Sequence, residues 1–277
     1  MATVSPARTE RGPGGSETLG EHGCSPVVVE QAMELVLLPG MDGTGRMFEP
    51  FVHCLPAGLR GSVVRYPADR ECSIEELADI ARAAIPADRP AIIVAESFSG
   101  LVTCELLKHR PANVRGVVFV GAFLAPPRPL LIRALSVLPA GIRQGGRIGR
   151  RLIGRACLGR WATAETRALL EGALAEVDPW ILASRLRMIL QPPAAPPTID
   201  VPTCYLQATG DRLVPARCAA TFAALAAELE VIPIDGPHML LQARPAECWR
   251  AIGTSRTIGP VLTGSTTPLL SSPSPMR

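Results

Sequence analysis

The sequence predicts a doubly wound α/β fold with a mostly parallel sheet, and two observations support that prediction. Short apolar runs of strand length alternate with longer segments of helical periodicity, which is the pattern of an α/β domain. Most of these runs are apolar at nearly every position, as is typical of parallel strands that are buried on both faces. We expect six strands, at residues 35–38, 62–66, 91–95, 116–120, 204–208 and 229–234.

The interval from 125 to 200 interrupts the alternation because it contains no strand candidate. Its apolar residues recur with helical spacing instead, so we expect an all-helical cap inserted between the fourth and fifth strands. The helix before the third strand has the clearest start signal, since Ser73 and Glu76 have the spacing of a capping box. Four helices are expected in the cap, at residues 130–138, 145–158, 164–177 and 179–190.

The two ends of the chain differ in composition from its centre. Residues 1–30 are rich in Gly, Ser, Glu and Pro, and residues 255–277 are rich in Ser, Thr, Gly and Pro, so both are expected to be disordered tails. The α/β core is then expected in two parts, at 31–124 and 201–254, with the cap at 125–200 between them.

The composition narrows the class of protein. Of the 277 residues 47% are apolar and 4% are aromatic, so the core is expected to be large and aliphatic. The net charge of +3 points neither to a nucleic-acid partner nor to stable membrane insertion, and no apolar run reaches the roughly 20 residues of a membrane-spanning helix. The eight cysteines form no C-x-x-C pair and are expected to be buried thiols, so we predict a reducing, cytoplasmic location and no metal site.

A candidate nucleophile, Ser97, directly follows the third strand and precedes a helix. Ala95 and Ser99 stand two residues to either side of it, which is the small-x-Ser-x-small form of the nucleophile elbow. Small residues are needed because the sharp strand-to-helix turn forces the serine into a strained conformation in which larger neighbours would clash. Ser99 is the competing nucleophile, but the large Leu101 stands where its own elbow needs a small residue.

A serine nucleophile needs a base to take its proton and a carboxylate to orient that base. Only His109 and His238 follow Ser97, and His109 falls within the helix that leaves the elbow. His238 lies in a loop just after the last strand and is the candidate base. Asp211, in a Gly-Asp turn after the fifth strand, is the candidate acid. Asp235 is the alternative acid, although its position in the same loop as His238 makes the geometry difficult.

A Gly-rich turn over residues 39–45 follows the first strand and supplies a candidate oxyanion donor. The Met41 amide, together with the amide of Phe98 next to the nucleophile, is expected to face the oxygen of a reacting acyl group. Phosphate binding is the alternative for a Gly-rich turn, but this turn has neither the G-x-G-x-x-G pattern nor a P-loop lysine.

Along the chain the Gly-rich turn, the elbow, the helical insertion, the acid turn and the histidine loop follow one another at plausible spacing. In this respect the sequence resembles the α/β-hydrolase superfamily over roughly residues 33–253. Within that superfamily it is similar to bacterial carboxylesterases with a small helical cap, of the pimeloyl-carrier-protein methyl esterase type. Glu96 stands where that group usually has an aromatic residue, and residues 39–41 read Pro-Gly-Met where many members have His-Gly-x.

The resemblance implies ester hydrolysis through an acyl-enzyme, with Ser97 as nucleophile, His238 as base, Asp211 as the orienting acid, and no cofactor. A thioesterase or acyltransferase with the same three residues is a nearby alternative. A non-catalytic binding module is an alternative from another class, and it is disfavoured because every catalytic position holds a competent residue. A peripheral membrane protein that binds through a basic cap helix is a further alternative.

Two features of the expected cap bear on the substrate. Apolar side chains stand on the first helix of the cap and just before it; they are Phe123, Leu124, Leu131 and Leu135. These side chains either line a pocket for a small or medium acyl group or only pack the cap on the core. A basic helix follows in which arginines recur every four residues and share one face. That face either docks an acidic acyl carrier protein, as the resemblance implies, or is simply solvated; its residues are Arg147, Arg151 and Arg155.

Overall fold

A computed structural model describes residues 33–137, 146–191 and 196–264. The strands in this part of the chain are β1 (Glu34–Leu38), β2 (Arg60–Val63), β3 (Ala91–Glu96), β4 (Val114–Val120), β5 (Thr203–Ala208) and β6 (Leu229–Ile234). They form one sheet in the order β2-β1-β3-β4-β5-β6, and each pair of neighbours is parallel. The predicted doubly wound α/β fold is confirmed.

Helices connect the strands and cover both faces of the sheet. They are α1 (Glu49–His53), α2 (Ile74–Ala83), α3 (Ser99–Leu107), α4 (Pro129–Val137), α5 (Gly146–Leu158), α6 (Ala164–Ala175), α7 (Pro179–Leu190), α8 (Cys218–Ala223), α9 (Leu240–Ala243), α10 (Pro245–Thr254) and α11 (Gly259–Leu262). Among these helices none combines the length and the apolar character needed to cross a bilayer.

Two sequence signals for helices have counterparts in the structure. Helix α2 begins with the expected capping box, in which the Ser73 hydroxyl accepts from the Glu76 amide and the Glu76 carboxylate accepts from the Ser73 amide. Helices α4 to α7 lie between β4 and β5, in the interval where only helices were expected. We call these four helices the helical segment; its role as a cap stays a prediction.

Side chains of the central strands alternate between two buried clusters, one on each face of the sheet. In β1, Val36 and Leu38 belong to one cluster, and Leu35 and Leu37 belong to the other. Helices α2, α3 and α8 contribute to the first cluster, whereas α1, α10 and α11 contribute to the second. Burial on both faces explains why the strands are apolar at nearly every position.

The chain reverses its direction of winding between β1 and β3. From β1 it runs outward to β2 at one edge, then returns to β3 on the other side of β1 and continues outward to β6. In open α/β sheets, ligands bind at the carboxyl ends of the strands, where the winding reverses. The turns that follow β1 and β3 are therefore the positions at which chemistry is expected.

The second strand ends earlier than the sequence predicted. We expected it to run to Tyr66, but β2 ends at Val63. The Val64 amide still donates to the Leu37 carbonyl at 2.9 Å, whereas the Tyr66 amide donates to the carbonyl of Gly43 at 2.8 Å. The apolar side chains of this stretch are buried against the turn after β1, so their pattern resembled a continuing strand.

The predicted C-terminal tail is wrong for residues 255–264. Ile258 and Leu262 are fully buried in the second cluster, and the Ser255 hydroxyl donates to the Glu230 carboxylate at 2.8 Å. A Cβ atom on Gly116 of β4 would lie 2.8 Å from Cδ1 of Ile258, so this segment packs directly on the sheet. The Ser, Thr and Gly content of this segment predicted disorder, although Ile258 and Leu262 fix the segment to the core. Residues 1–32 and 265–277 lie outside the described part of the chain.

Candidate active site

The turn after β3 holds Ser97 in a conformation that is unusual for a residue with a side chain. Its φ angle is +50°, in the left-handed region, and its amide donates to the Val120 carbonyl of the adjacent strand at 2.9 Å. Helix α3 begins two residues later. A Cβ atom on Gly100 would lie 2.7 Å from the Phe123 carbonyl oxygen, so the helix can approach the end of β4 only with glycine there. This geometry is that of a nucleophile elbow.

His238 reaches the serine from the loop after β6. Its Nε2 lies 3.0 Å from the Ser97 Oγ, and only 5% of the His238 side chain is exposed. The Gly210 amide in the loop after β5 donates to the Gly236 carbonyl at 2.9 Å and thereby ties the two loops together. The side chains of Ser97 and His238 therefore meet across 141 residues of sequence.

Asp211, and not Asp235, contacts the histidine. One oxygen of Asp211, Oδ2, lies 2.7 Å from His238 Nδ1, while Oδ1 accepts from the amides of Leu213 and Val214 at 2.7 and 2.8 Å. The two amides fix the direction of the carboxylate. Asp235 is exposed and forms ion pairs with arginine side chains, at 3.1 Å from Arg160 and 3.9 Å from Arg244.

The environment of His238 determines which ring nitrogen carries the proton. An ionised Asp211 carboxylate can only accept, so Nδ1 donates to it and Nε2 of the neutral ring is left to accept from the Ser97 hydroxyl. Burial lowers the pKa of His238, but the charge of Asp211, its hydrogen bond and the charge of Glu96 outweigh burial and raise that pKa above 6.5. The lone pair of Nε2 thus faces the Ser97 hydroxyl, and the role of His238 as a base stays a prediction.

The turn after β1 passes next to the serine. A Cβ atom placed on Gly40 would lie 3.9 Å from the Ser97 Cβ. Among the described residues, no acceptor takes up the amide of Met41 or of Phe98. Phe98 lies between Ser97 and the start of α3, where the helix dipole favours negative charge. Both expected oxyanion donors therefore lie beside the serine, and their joint role stays a prediction.

A second buried carboxyl group lies next to the serine. Glu96 is 2% exposed, and its Oε1 accepts from Gln242 Nε2 at 3.0 Å; the same nitrogen donates to the Met47 carbonyl at 3.1 Å. Burial raises the pKa of Glu96 to about 7, against the opposing effect of the Gln242 hydrogen bond. Around neutral pH this group gains or loses a proton close to His238.

The sequence matches the α/β-hydrolase family over residues 35–251. The chain belongs to this family. No curated protein sequence matches it.

Solved structures of other proteins are similar to this α/β-hydrolase in fold. An esterase from Exiguobacterium antarcticum has 14% identity and a TM-score of 0.67, over 80% of this chain and 92% of the other. An esterase from Thermogutta terrifontis, with malate bound, has 17% identity and a TM-score of 0.64, over 79% and 87%. The thioesterase RedJ of the prodiginine pathway in Streptomyces coelicolor has 21% identity and a TM-score of 0.58, over 79% and 87%. At these identities the similarity shows the fold, and the pimeloyl-carrier-protein methyl esterase type stays a prediction.

The structure describes the side chains of only some of the substrate and docking residues that were expected in the cap. Phe123 is buried and Leu124 is half-buried directly after β4, in the loop whose Gly121 faces the Asp211–His238 pair. Arg155 is exposed on α5. The side chains of the remaining candidates, Leu131, Leu135, Arg147 and Arg151, lie outside the described set.

The sequence did not indicate the contacts that two side chains of this α/β-hydrolase make with the turn after β1. Arg185 in α7 is 2% exposed and donates to main-chain carbonyls of that turn. It stands four residues after Ile181 and four before Ile189, both buried, so a charge within an apolar helix face was the available signal. Ser99, expected as a small residue of the elbow and as the competing nucleophile, is fully buried and donates to the Pro39 carbonyl at 2.5 Å. No sequence pattern indicates that bond.

Among the described residues, no three His, Cys, Asp or Glu side chains converge as metal ligands do.

Proposed function

We propose that this α/β-hydrolase cleaves carboxylic esters through an acyl-enzyme formed on Ser97. One observation carries the proposal: Ser97 Oγ, His238 and Asp211 form a continuous hydrogen-bonded chain, with distances of 3.0 and 2.7 Å, at the carboxyl edge of the sheet. Serine hydrolases need this combination of nucleophile, base and orienting acid, and the burial of the His238 and Asp211 side chains excludes water from the pair.

The reaction follows from the hydrogen bonds. His238 Nε2 takes the Ser97 hydroxyl proton as Oγ bonds to the acyl carbon, and the carbonyl oxygen becomes an oxyanion that accepts from the amides of Met41 and Phe98. When the tetrahedral intermediate collapses, the protonated His238 gives its proton to the departing alcohol, which leaves an acyl group on Ser97. Water then attacks the acyl-enzyme while His238 takes one of its protons, and a second tetrahedral intermediate forms. When this intermediate collapses, the bond between the acyl carbon and Ser97 Oγ breaks, the acid is released, and His238 returns its proton to Ser97 Oγ. Asp211 holds the imidazole in the required tautomer throughout.

A fluorophosphonate probe tests the activated serine directly. We expect the wild type to be labelled, and labelling to be lost in Ser97→Ala and His238→Ala. His109→Ala is the matched control, since His109 is exposed at the end of α3, and should label like the wild type. A folded wild type that neither labels nor hydrolyses p-nitrophenyl esters would exclude the proposal and favour the binding-module alternative.

The acyl group is proposed to be small or medium in length and to lie against the loop after β4 and the first helix of the helical segment. Phe123 and Leu124 follow β4 next to Gly121, where a Cβ would come within 3.4 Å of both Asp211 Oδ2 and His238 Nδ1. Leu131 and Leu135 are proposed to extend this apolar wall. Esters of increasing acyl length should show a maximum that moves to shorter chains in Leu124→Phe. An unchanged length profile would remove Leu124 from the pocket.

A thioesterase or acyltransferase using the same residues is the second candidate. Thioester specificity is favoured by one comparison, since RedJ, described as a thioesterase, shares the fold. Matched oxygen esters and thioesters with the same acyl group distinguish the two hydrolases by their kcat/KM values. Added alcohol acceptor distinguishes transfer, because an acyltransferase would form a new ester at the expense of free acid.

An acidic acyl carrier protein is the proposed partner of the basic face of α5, which contains Arg147, Arg151 and Arg155. The charge of that face complements an acidic protein, and Leu152 on the same helix is 63% exposed. The double variant Arg151→Glu, Arg155→Glu should lower kcat/KM for a carrier-linked ester at least tenfold and leave that for a small free ester unchanged. The exposed Arg167→Glu on α6 is the control. Equal losses on both substrates, or none, would refute docking.

A further inference from the structure

A buried guanidinium from the helical segment holds the turn after β1. We call residues 39–43 the oxyanion turn. Arg185 Nη1 donates to the Met41 carbonyl at 2.9 Å and to the Asp42 carbonyl at 2.7 Å, and Nη2 donates to the Pro67 carbonyl at 2.8 Å. Burying a cation is costly unless its donors are satisfied. Arg185 is only 2% exposed, which indicates a specific role for this arginine.

The turn is shaped to receive the guanidinium. Gly43 has a φ angle of +73°, which favours glycine. A Cβ atom at Gly43 would also lie only 2.5 Å from Nη1 and 2.9 Å from Cζ of Arg185. Both the backbone conformation and the missing side chain therefore make room for Arg185.

The bonds to the turn determine where the Met41 amide points. In a trans peptide the N–H and the preceding C=O point in opposite directions. The Gly40 carbonyl accepts from the Gly43 amide at 3.0 Å, so the Met41 N–H, in the same peptide plane, points away from that bond. Arg185 then fixes the next two peptide planes through the carbonyls of Met41 and Asp42. The amide expected to bind the oxyanion is thus held by constraints on either side of it.

Tyr66 and Ser99 complete the support of the same turn. The Tyr66 amide donates to the Gly43 carbonyl at 2.8 Å, and the Arg185 guanidinium lies 5.8 Å from the centre of the Tyr66 ring. The Ser99 hydroxyl donates to the Pro39 carbonyl, so the Tyr66 hydroxyl, 2.7 Å away, must donate to Ser99. Every carbonyl of the oxyanion turn therefore accepts a hydrogen bond, and two of the five bonds come from Arg185.

We propose that Arg185 is a positioning residue that couples the helical segment to the oxyanion turn, so that the Met41 amide is correctly directed when α7 is docked on the core. This inference rests on the proposed esterase function. Arg185 touches the turn and not the reacting atoms, so its loss should weaken stabilisation of the oxyanion while ground-state binding of the ester is largely kept. The expected signature is a fall in kcat at nearly constant KM.

The test compares Arg185→Ala and Arg185→Lys with Arg187→Ala, in purified full-length protein. Arg187 is two residues further along α7, more than half exposed, and paired with Glu71, so it controls for general effects of the helix. With p-nitrophenyl acetate we expect kcat to fall about 10- to 100-fold in Arg185→Ala, because one oxyanion donor is worth about 100- to 1000-fold and would be misdirected rather than removed. KM should change less than about threefold, as misdirection acts mainly on the transition state.

Chemical rescue separates positioning from a merely structural role. Methylguanidinium at tens of millimolar should restore kcat in Arg185→Ala at least severalfold and leave Arg187→Ala unchanged. A boronic acid that mimics the tetrahedral intermediate should lose affinity for Arg185→Ala in proportion to kcat. If Arg185→Ala does not fold, Arg185→Lys carries the test, with an intermediate loss of kcat at constant KM.

Two results would overturn the inference. One is a folded Arg185→Ala or Arg185→Lys variant with wild-type kcat; the other is a loss of kcat that methylguanidinium does not restore and that the boronic acid affinity does not follow. An inactive wild type would instead refute the esterase function on which the inference depends. The wild-type assay therefore distinguishes the two failures.

Discussion

Replacing Asp211 with asparagine tests the arrangement of the site most sharply, because the change keeps the size of the side chain. The new side-chain oxygen can still accept from the Leu213 and Val214 amides, which leaves the NH₂ group facing His238 Nδ1. An NH₂ group donates, so the imidazole must present a lone pair at Nδ1 and move its proton to Nε2. His238 then has no lone pair for the Ser97 proton.

The structure makes this effect large. The His238 and Asp211 side chains are 5% and 4% exposed, so no solvent substitutes for the lost carboxylate. Wrong-tautomer substitutions of this kind lower kcat by about 10⁴-fold in serine hydrolases, which corresponds to about 5 kcal/mol of transition-state stabilisation. The pKa of His238 should fall as well, because the burial that lowers it is no longer opposed by Asp211.

Steady-state hydrolysis of a p-nitrophenyl ester at pH 8 measures the loss, and thermal unfolding verifies that the variant is folded. Asp235→Asn is the matched control, since Asp235 is the other acid that the sequence offered and pairs with Arg160 and Arg244 at the surface. It should stay within about threefold of the wild type, as surface ion pairs contribute little. Asp211→Asn within tenfold of the wild type, or Asp235→Asn equally damaged, would refute the reasoning.

Three further predictions concern pH and stability. Because Asp211 and Glu96 raise the pKa of His238 and only its neutral form accepts a proton, kcat/KM should fall as the pH decreases through a value above 6.5; an inflection at or below 6.5 would contradict this. The Glu96 pKa rises on folding from 4.5 to about 7, so folding takes up a proton between these values and stability is lost as the pH increases. Urea denaturation at pH 4.5 and 8 should show a loss about 3 kcal/mol greater in the wild type than in Glu96→Gln, and parallel losses would disprove it. A chain ending at Thr254 should be about 3–6 kcal/mol less stable than one ending at Gly264, because two fully buried side chains are removed, and equal melting temperatures would count against the packing of this segment.

Much of the fold could be predicted because its signals are local. Strands buried on both faces must be apolar at nearly every position, so five of the six strands were predicted within about two residues of their observed ends. The capping box at Ser73 is likewise a matter of neighbouring residues. The apolar run that ends at Tyr66 packs against a loop and not within a strand, so its apolar pattern wrongly predicted that β2 continues to Tyr66.

The candidate site was predictable as a set of residue types. An elbow needs small residues around Ser97, and only one histidine beyond the elbow lies in a loop, so His238 was reached by elimination. For the orienting acid the sequence left both Asp211 and the alternative Asp235, because each follows a strand. Spacing along the chain does not show in which direction a carboxylate points. The contact between Asp211 Oδ2 and His238 depends on two amides in the loop after β5.

By itself, then, the sequence determined the α/β alternation, the elbow and a short set of candidate catalytic residues, because periodicity and side-chain size act over a few neighbouring positions. Only the tertiary structure decided which acid contacts His238, that residues 255–264 pack on the sheet, and that Arg185 holds the oxyanion turn. The last contact joins atoms 144 residues apart in sequence. Bonds from a side chain to a main-chain carbonyl depend on where the backbone lies and not on the identity of the residue that accepts, so no local pattern indicates them.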